Sequence, residues 1–221
     1  MALCVIADGE FGLRVARVIV RLLAAEGRTA LVAADGDGHG RAEILATASF
    51  AIRASWRDVR QEFESFAEAA AQSRVSWLPV AVAHPYVRVG PAIVPGTPPC
   101  YACYSRRAGQ HQRDPRSEQV EAGYARDTAL GVSGHPPHLA ALVAGQALAL
   151  VSTGQAHDET GRRGEVRMVD SRTDHVESCV AVPANGCPAC DPAPALDRRD
   201  RAGRDRLRGL AARTAGPAAA S

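Results

Sequence analysis

Apolar residues in the first part of the chain occur in two patterns, as short unbroken runs and at helical spacing. Residues 2–7 are continuously apolar, which is typical of a strand buried on both faces of a parallel sheet. A glycine turn from Asp8 to Gly12 follows, and apolar residues then recur with a helical period over residues 13–25. Residues 29–34 form a second apolar run. The pattern predicts a β-α-β unit.

The middle of the chain continues this alternation. The pattern predicts a flexible loop, a strand, a helix and two further strands, which cover residues 36–41, 47–54, 56–72, 75–83 and 87–95. Pro79 lies inside one of these strands and has no backbone N–H to donate. We therefore expect that strand to lie at an edge of the sheet or to contain a bulge.

The last part of the chain contains a polar stretch, an apolar helix and a hairpin. Residues 105–126 carry few apolar side chains, which predicts a helical turn followed by a surface loop. Residues 138–152 are apolar nearly all round, so we expect a helix buried in the core or in a subunit interface. Residues 164–170 and 175–182 predict a hairpin. The predicted class is α/β, with a mostly parallel sheet, helices on both faces and a C-terminal hairpin.

The composition changes near the end of the chain. Residues 192–221 are rich in Arg, Asp, Ala and Pro, which predicts a disordered or weakly helical tail after a single domain of residues 1–191. An arginine-rich run can also bind nucleic acid. Asp197, Asp200 and Asp205 interrupt this run, which has no aromatic residue, so a solvated tail is favoured.

Composition and charge limit the kinds of function that this chain can have. The chain has 221 residues, 46% of them hydrophobic, and its net charge of +2 gives no reason to expect a nucleic-acid or membrane partner. No apolar stretch approaches the roughly 20 residues that span a bilayer, and residues 1–12 lack the basic start of a signal peptide. All 26 basic residues are arginine. The absence of lysine excludes mechanisms that need a lysine as phosphate clamp, Schiff base or general base.

Two C-x-x-C pairs are the strongest chemical signal in the sequence. Cys100 and Cys103 form the first pair, and Cys187 and Cys190 form the second, far away along the chain. Each pair places two thiolates on one turn, and two pairs complete the tetrahedral sulfur shell of a Zn²⁺ site. Such a site has no open coordination position, so we expect a structural role. Bound zinc would tie the middle of the chain to its end.

Other interpretations of the cysteines remain open. The pairs can also be read as redox-active or as ordinary buried cysteines, although a redox C-x-x-C typically follows an early strand and opens a helix. A different ligand, His111 or Cys179, can replace one cysteine in the zinc shell. Cys4 lies in the first apolar run and is expected in the core. Six cysteines, four of them in zinc-like pairs, favour a reducing cytoplasm over a secreted disulfide scaffold.

The glycine turn of the β-α-β unit is a candidate nucleotide site. Gly9 and Gly12 match two positions of a G-x-G-x-x-G phosphate loop, but the first glycine of that motif is absent. Asp35, after the second apolar run, lies at a plausible distance for an acid that binds ribose. Two acids in the turn, Asp8 and Glu10, disfavour a bound anion there. The turn is therefore either a vestigial nucleotide site or a connection that binds nothing.

An ordered set of short segments gives the chain a family resemblance. The segments are Asp8–Gly12, Ser55–Arg57, Trp77–Val80, Val89–Pro91, Pro95–Gly96, Cys100–Tyr104, Arg107, Gly134–His138 and Gly186–Cys190. With them, roughly residues 3–191 resemble the ThiF/MoeB and ubiquitin-activating-enzyme superfamily. The resemblance is closest to the ThiF-like cyclodehydratase partner proteins of thiazole/oxazole-modified peptide (bacteriocin) biosynthesis, also called precursor leader-peptide-binding proteins. It implies a Rossmann-like, ThiF-type fold with a zinc-knuckle clamp.

This resemblance implies a scaffold that works with a YcaO-type ATP-dependent cyclodehydratase. In such systems the YcaO partner activates a peptide amide with ATP and closes Cys, Ser or Thr side chains into azoline rings. The ThiF-like protein presents the precursor peptide and stimulates its partner, and superfamily members are commonly homodimers. The expected sites are a Zn²⁺ site and a vestigial nucleotide site, without a catalytic residue: Cys100, Cys103, Cys187 and Cys190 for zinc, and Gly9, Gly12 and Asp35 for the nucleotide.

Two departures from the family pattern bear on activity. Adenylating members use a complete glycine loop and a lysine at the phosphates, so we expect no ATP binding or adenylation by this chain. The leader peptide is usually held by a small winged-helix domain before the ThiF-like part, and this sequence starts at the first strand. We therefore expect the precursor peptide to be a partner either directly or through a separate leader-binding subunit. Two alternatives remain: an active ThiF-type adenylyltransferase acting on a peptide or carrier-protein carboxylate, and an unrelated zinc-stabilised Rossmann-like binding protein.

Overall fold

Alternating strands and helices make up the part of the chain that the computed structural model describes, which is residues 3–34, 38–111, 115–127, 129–132, 134–155 and 164–190. The strands are β1 (Leu3–Asp8), β2 (Ala30–Ala34), β3 (Phe50–Ser55), β4 (Ser76–Ala83), β5 (Tyr86–Val89), β6 (Glu165–Asp170) and β7 (Val176–Val180). The helices are α1 (Gly9–Ala25), α2 (Gly38–Thr47), α3 (Arg60–Gln72), α4 (Tyr101–His111), α5 (Pro115–Arg126) and α6 (Leu139–Gln155). The tail predicted for residues 192–221 lies outside the described residues.

The strands form one mixed sheet in the order β2-β1-β3-β4-β5-β6-β7. The first four of these are parallel to one another, and β5, β6 and β7 continue the sheet with antiparallel pairs. The α/β class, the parallel core and the C-terminal hairpin are confirmed. The chain goes from β1 to β2 on one side and then to β3 on the other, so the strand order reverses between β1 and β3. In open α/β sheets, ligands commonly bind at the carboxyl ends of the strands at such a reversal.

Helices cover both faces of the sheet, as predicted. On one face α1 and α6 pack against the strands, and Ile19 and Val143 belong to the same buried cluster. On the other face α2, α3 and α4 contribute to a second cluster, which contains Phe66, Trp77 and Tyr101. The rings of Phe66 and Trp77 have their centroids 4.8 Å apart. Each face of the sheet therefore has its own apolar core.

The apolar helix predicted at residues 138–152 is α6, and it lies in the core. Leu139, Val143, Ala147 and Leu150 are at most 2% exposed, because they face the sheet and α1. Despite this apolar composition, neither α6 nor another helix within the described ranges combines the length and the hydropathy that a membrane span needs.

Two segments predicted as loops are helical. The predicted loop at residues 36–41 overlaps the start of α2, and residues 115–126, predicted as a surface loop, form α5. The end of α5 is held by a distant side chain, because Arg57 donates a hydrogen bond to the carbonyl oxygen of Tyr124 at 3.1 Å. A tertiary contact of this kind cannot be recognised from the local spacing of apolar residues. The polar composition of residues 105–126 therefore predicted a surface loop where the chain is helical.

Pro79 does not mark an edge strand. It lies in β4, which is paired on both sides, so the edge expectation is wrong. The carbonyl oxygen of Pro79 accepts a hydrogen bond from the N–H of Gly90 at 2.8 Å. The missing N–H of Pro79 points to the same side of the strand, where β5 has ended at Val89 and pairing resumes only at Ile93. The proline thus occupies an interruption of the hydrogen-bond pattern inside the sheet.

Candidate metal centre and glycine turn

The two cysteine pairs come together in space. Cys100 directly precedes α4 and Cys103 lies in its first turn, whereas Cys187 and Cys190 lie in the turns after β7. Gly186 precedes the second pair with φ +70°, a backbone conformation that glycine adopts without strain. All four cysteines are buried and form a small cluster separate from the two main cores. The fold therefore joins the middle of the described chain to its end at this point.

The four sulfur atoms are spaced as a tetrahedral metal shell requires. The Sγ of Cys100 lies 3.8 Å from that of Cys103 and 3.5 Å from that of Cys187, and the Sγ atoms of Cys103 and Cys190 are 3.5 Å apart. All four lie within 4.8 Å of one another. Zn–S bonds of about 2.3 Å place the sulfur atoms of a regular tetrahedron about 3.8 Å apart. The cluster is therefore compatible with a Zn²⁺ site.

The surroundings of the thiols oppose a free thiolate at two of these positions. Burial raises the pKa of the Cys100 thiol to about 11 and also raises the pKa of Cys190. Burial acts in the same direction on Cys103, but hydrogen bonds from the N–H of Ala184, at 3.3 Å, and from neighbouring thiols leave its pKa lowered. Several thiolates at this separation repel one another, and a bound divalent cation removes that repulsion. The chemistry of the cluster thus favours neutral thiols or metal-bound thiolates.

The other cysteines lie elsewhere. Cys4 is fully buried in the second core, as expected, and burial raises its pKa to about 11. Cys179 is exposed on β7 and does not belong to the four-sulfur group. The side chain of His111, the other alternative ligand, falls outside the described residues.

The glycine turn is covered by a tryptophan. Gly9 begins α1 with φ +67°, and a Cβ atom added there would collide with the five-membered ring of Trp56. At the far edge of the same indole, a Cβ added to Gly131 would lie 2.8 Å from Cζ3 of Trp56. The indole therefore extends from one glycine to the other. A ligand phosphate that approached the backbone at Gly9 would have to displace it.

Arg57 holds the chain segment beside Trp56 in place. Its Nη1 donates to the carbonyl oxygens of Tyr124 and Asp127, each at 3.1 Å, and to that of Leu130 at 3.4 Å. Its Nη2 donates to a carboxylate oxygen of Glu62 at 3.1 Å. Only 4% of Arg57 is exposed, so these bonds form away from water and have high geometric specificity. The residues after α5 are thereby fixed next to the glycine turn.

The remaining residues of the predicted nucleotide site have other contacts or are not described. A Cβ added to Gly12 would collide with the carbonyl oxygen of Ala54, so this glycine allows α1 to pack closely on β3. Asp8 accepts a hydrogen bond from Oγ of Ser55 at 2.8 Å, which joins the ends of β1 and β3. Asp35 lies outside the described residues. The structure thus places Gly9 and Gly12 in one turn and leaves the predicted ribose acid undescribed.

Sequence reasoning missed an aromatic cleft beside Trp56. All four tyrosines of the chain line it, together with an ion pair formed by the buried Arg88 and the half-buried Asp58. Nη2 of Arg88 donates to a carboxylate oxygen of Asp58 at 2.6 Å, and its Nε donates to the other oxygen at 3.0 Å. The tyrosines come from β5, α4 and α5, which are distant in sequence. No local spacing could have grouped them before the order of the strands was known.

Comparison with known proteins shows that this chain shares its fold with proteins of solved structure. No protein-family model matches the chain, and no curated protein matches it. A heterocyclase solved in complex with substrate and cofactor matches with a TM-score of 0.60 at 16% identity, over 90% of this chain and 26% of that one. The heterocyclase TruD matches with a TM-score of 0.56 at 17% identity, over 90% of this chain and 28% of that one.

A further match is MccB of E. coli, with a TM-score of 0.55 at 11% identity, over 87% of this chain and 65% of that one. MccB has also been solved with ATP. Identities this low show a shared fold and nothing finer. The chain spans about a quarter of the length of the two heterocyclases and just under two thirds of MccB.

Proposed function

We propose that this chain is the zinc-stabilised, non-catalytic partner subunit of a YcaO-type cyclodehydratase that closes azoline rings in a ribosomal precursor peptide. The observation that carries the proposal is the fold shared with two heterocyclases over 90% of this chain. The match covers 26% and 28% of those heterocyclases. In the proposal the ring-forming chemistry belongs to the YcaO component and not to the residues described here. In the complex, this chain presents the precursor peptide and stimulates its partner.

The cysteine cluster has a structural role in this proposal. We assign Cys100, Cys103, Cys187 and Cys190 as the ligands of one Zn²⁺, in line with their sulfur–sulfur distances. A four-thiolate site leaves no coordination position for water or substrate, so the ion stabilises the fold and takes no part in chemistry.

The covered glycine turn supports a non-catalytic role. Trp56 lies over Gly9, where the backbone would have to approach a phosphate. Asp8 and Glu10 add negative charge at the same turn, and the chain has no lysine to offset the charge of ATP. We therefore assign ATP binding to the YcaO partner.

Reconstitution tests the proposal. A YcaO protein and a precursor peptide that co-purify with this chain from its native host are incubated with ATP, with and without this chain. Mass spectrometry follows the loss of one water per ring. We expect no ring formation by this chain alone and faster ring formation by the YcaO protein when this chain is added. An unchanged YcaO rate, or the absence of a YcaO protein from the pull-down, contradicts the proposal.

Two further parts of the proposal concern assembly and compartment. We propose a homodimer that works in the cytoplasm, where the six free cysteines remain reduced. Analytical ultracentrifugation of the purified chain tests the dimer, and a monomer across the micromolar range contradicts it.

The second candidate is an ATP-dependent adenylyltransferase acting on a peptide or carrier-protein carboxylate. The similarity to MccB favours it, because MccB solved with ATP matches 86% of this chain with a TM-score of 0.52. Exchange of labelled pyrophosphate into ATP by the purified chain distinguishes the two candidates. Measurable exchange supports the adenylyltransferase and overturns the non-catalytic assignment.

A further inference from the structure

Arg107 connects the two cysteine pairs through one hydrogen bond. It lies on α4, one helical turn after Cys103, and its Nη2 donates to the carbonyl oxygen of Pro183 at 3.1 Å. Pro183 lies in the segment between β7 and the second cysteine pair, 76 residues further along the chain. The side chain therefore reaches from the helix of the first pair to the turn of the second.

A single peptide group lies between Arg107 and Cys103. The carbonyl group of Pro183 and the N–H of Ala184 belong to it, and this N–H donates to the Sγ of Cys103 at 3.3 Å. Cys103 and Arg107 are one turn apart on α4, so their side chains share one face of the helix. The C=O and N–H of a trans peptide group point in opposite directions in one plane. Fixing the carbonyl oxygen toward Arg107 therefore also fixes the direction of the N–H toward the sulfur atom.

Ala184 passes this constraint on to the second pair. It is 5% exposed and belongs to the cysteine cluster. Its carbonyl oxygen accepts a hydrogen bond from the N–H of Cys187 at 3.2 Å, which closes the turn through Gly186. A displacement of Ala184 would therefore move both the N–H on Cys103 and the turn that holds Cys187.

The guanidinium group is itself held in place. Nη1 of Arg107 donates to Oε1 of Gln110 at 3.1 Å, and its Nε is buried, without a hydrogen-bond partner in the part of the chain that the structure describes. A buried donor without a partner costs free energy, whereas an arginine on a solvated surface keeps this N–H in water. The side chain gives up the hydration of Nε and keeps the bond to Pro183, which indicates a specific position.

A metal-loaded cluster needs such a group. Four thiolates exceed the charge of one Zn²⁺, so the loaded centre is an anion. Cys103 is 0% exposed, so water cannot solvate its share of that charge. N–H groups that donate to a ligand sulfur, and cations close by, stabilise a buried thiolate. Arg107 contributes in both ways, because it brings its own positive charge and polarises the peptide group whose N–H donates to Cys103.

We propose that Arg107 is a positioning residue of the zinc site, which directs the N–H of Ala184 onto Cys103 and thereby sets how tightly the cluster holds Zn²⁺. It acts through the peptide group and not as a ligand. The inference rests on the zinc assignment in the proposed function and is independent of the YcaO partnership.

The first measurement is metal affinity. Competition with a chromophoric chelator gives the Zn²⁺ dissociation constant of each purified full chain. We expect Arg107→Gln to raise this constant by about tenfold to hundredfold, the range typical of groups that orient a metal ligand. Arg107→Lys keeps the charge but not the planar fork, so its constant should lie between those of the wild type and Arg107→Gln. The matched control is Arg106→Gln, at the exposed arginine one residue earlier on α4, which should leave the constant unchanged.

The second measurement separates the positioning of Cys103 from a general effect on stability. Co²⁺ binds in place of Zn²⁺, and its absorption then contains charge-transfer bands from sulfur to the metal. A hydrogen bond to a thiolate lowers the energy of the sulfur electrons, so loss of the N–H of Ala184 should shift these bands to longer wavelength. We expect this shift in Arg107→Gln, a smaller one in Arg107→Lys and none in Arg106→Gln. A variant that is only less stable keeps the wild-type wavelength in its folded, metal-bound fraction.

The same two measurements on Arg107→Lys decide the question if Arg107→Gln does not fold, because the expected changes have the same direction. Three results overturn the inference and leave the zinc site in place. The first is an unchanged Zn²⁺ dissociation constant, and the second is weaker binding with bands at the wild-type wavelength. The third is an equal change in Arg106→Gln, which would come from loss of charge alone.

The outcome for the wild-type chain keeps this inference separate from the rest of the proposed function. A wild-type chain that binds neither Zn²⁺ nor Co²⁺ overturns the zinc assignment and the role of Arg107 together. No YcaO protein is present in these assays, so failure of the ring-forming reconstitution is a separate outcome.

Discussion

His135 is a half-buried base in the segment after α5. Its Nε2 is buried and, within the described residues, has no hydrogen-bond partner, and its ring lies edge-on to Phe11 with centroids 5.1 Å apart. Burial lowers its pKa, the charge of Arg14 and the nearby His84 lower it further, and Glu10 opposes them. The neutral ring therefore fits the folded state better than the charged one.

This lowered pKa predicts a pH dependence of stability. The unfolded chain binds the proton more readily, so the contribution of His135 is fully present above its ordinary pKa of about 6.5 and is lost as the pH falls through the lower folded value. When the free energy of unfolding is measured with guanidinium at about pH 7 and about pH 5, it should fall less between these values for His135→Gln than for the wild type. His175→Gln, at an exposed histidine, should behave as the wild type. An equal loss in all three chains contradicts the assignment.

At the scale of residues, the sequence predicts what a local spacing can encode. A C-x-x-C pair places two sulfur atoms on one turn whatever surrounds it. If one tetrahedral ion binds both pairs, Cys100 and Cys187 must lie close together, and no further assumption is needed. Trp56 is different. Its indole lies between Gly9 and Gly131, next to the Leu130 carbonyl that accepts a hydrogen bond from Arg57, and these contacts exist only after the chain has folded. The covered turn could therefore not be predicted from the incomplete glycine motif.

Two glycine substitutions should have opposite effects on stability, because Gly12 lies at the contact between α1 and β3 and Gly145 lies on the exposed side of α6. Gly12→Ala places a methyl group against the carbonyl oxygen of Ala54, so α1 must move from the sheet and the free energy of unfolding should fall by about 1–3 kcal/mol. Gly145→Ala adds a methyl group where no atom lies within 4 Å, on the exposed side of α6. It should raise the free energy of unfolding by about 0.5–1 kcal/mol. Guanidinium titration measures both values, and equal effects would show that Gly12 has no special packing role.

At the scale of elements, the long periodic segments are predictable and the short polar ones are not. The first strand and the apolar helix α6 match their predicted positions closely, because their buried side chains must face the sheet. Helix α5 was missed since its end is fixed by Arg57 and not by an apolar face of its own. Pro79 misled the prediction in another way, because a missing N–H is tolerated inside a sheet wherever the neighbouring strand is interrupted.

At the scale of the whole molecule, the cysteine cluster joins two parts of the chain that the sheet alone does not join. The main cores lie on the faces of the sheet, and the cysteines form a third cluster. One pair opens α4 and the other follows β7, which pairs only with β6 among the described strands. Its exposed side chains include Cys179 and Val180, so β7 has little apolar packing of its own. We expect the clamp to be the main support for this edge of the sheet.

Loss of the metal should therefore loosen one end of the sheet before the rest. Cys187→Ser should lower the zinc content from about one ion per chain to near zero, and the cost in stability should approach the values above about 4 kcal/mol that follow loss of a metal site. Cys179→Ser should keep both zinc and stability, since this cysteine is exposed and outside the cluster.

Hydrogen exchange should accelerate first in β6, β7 and the residues that follow, while β1 and β3 stay protected by both cores. Zinc retained by Cys187→Ser would remove it from the ligand set, and uniform acceleration across the sheet would show that the clamp supports the molecule as a whole.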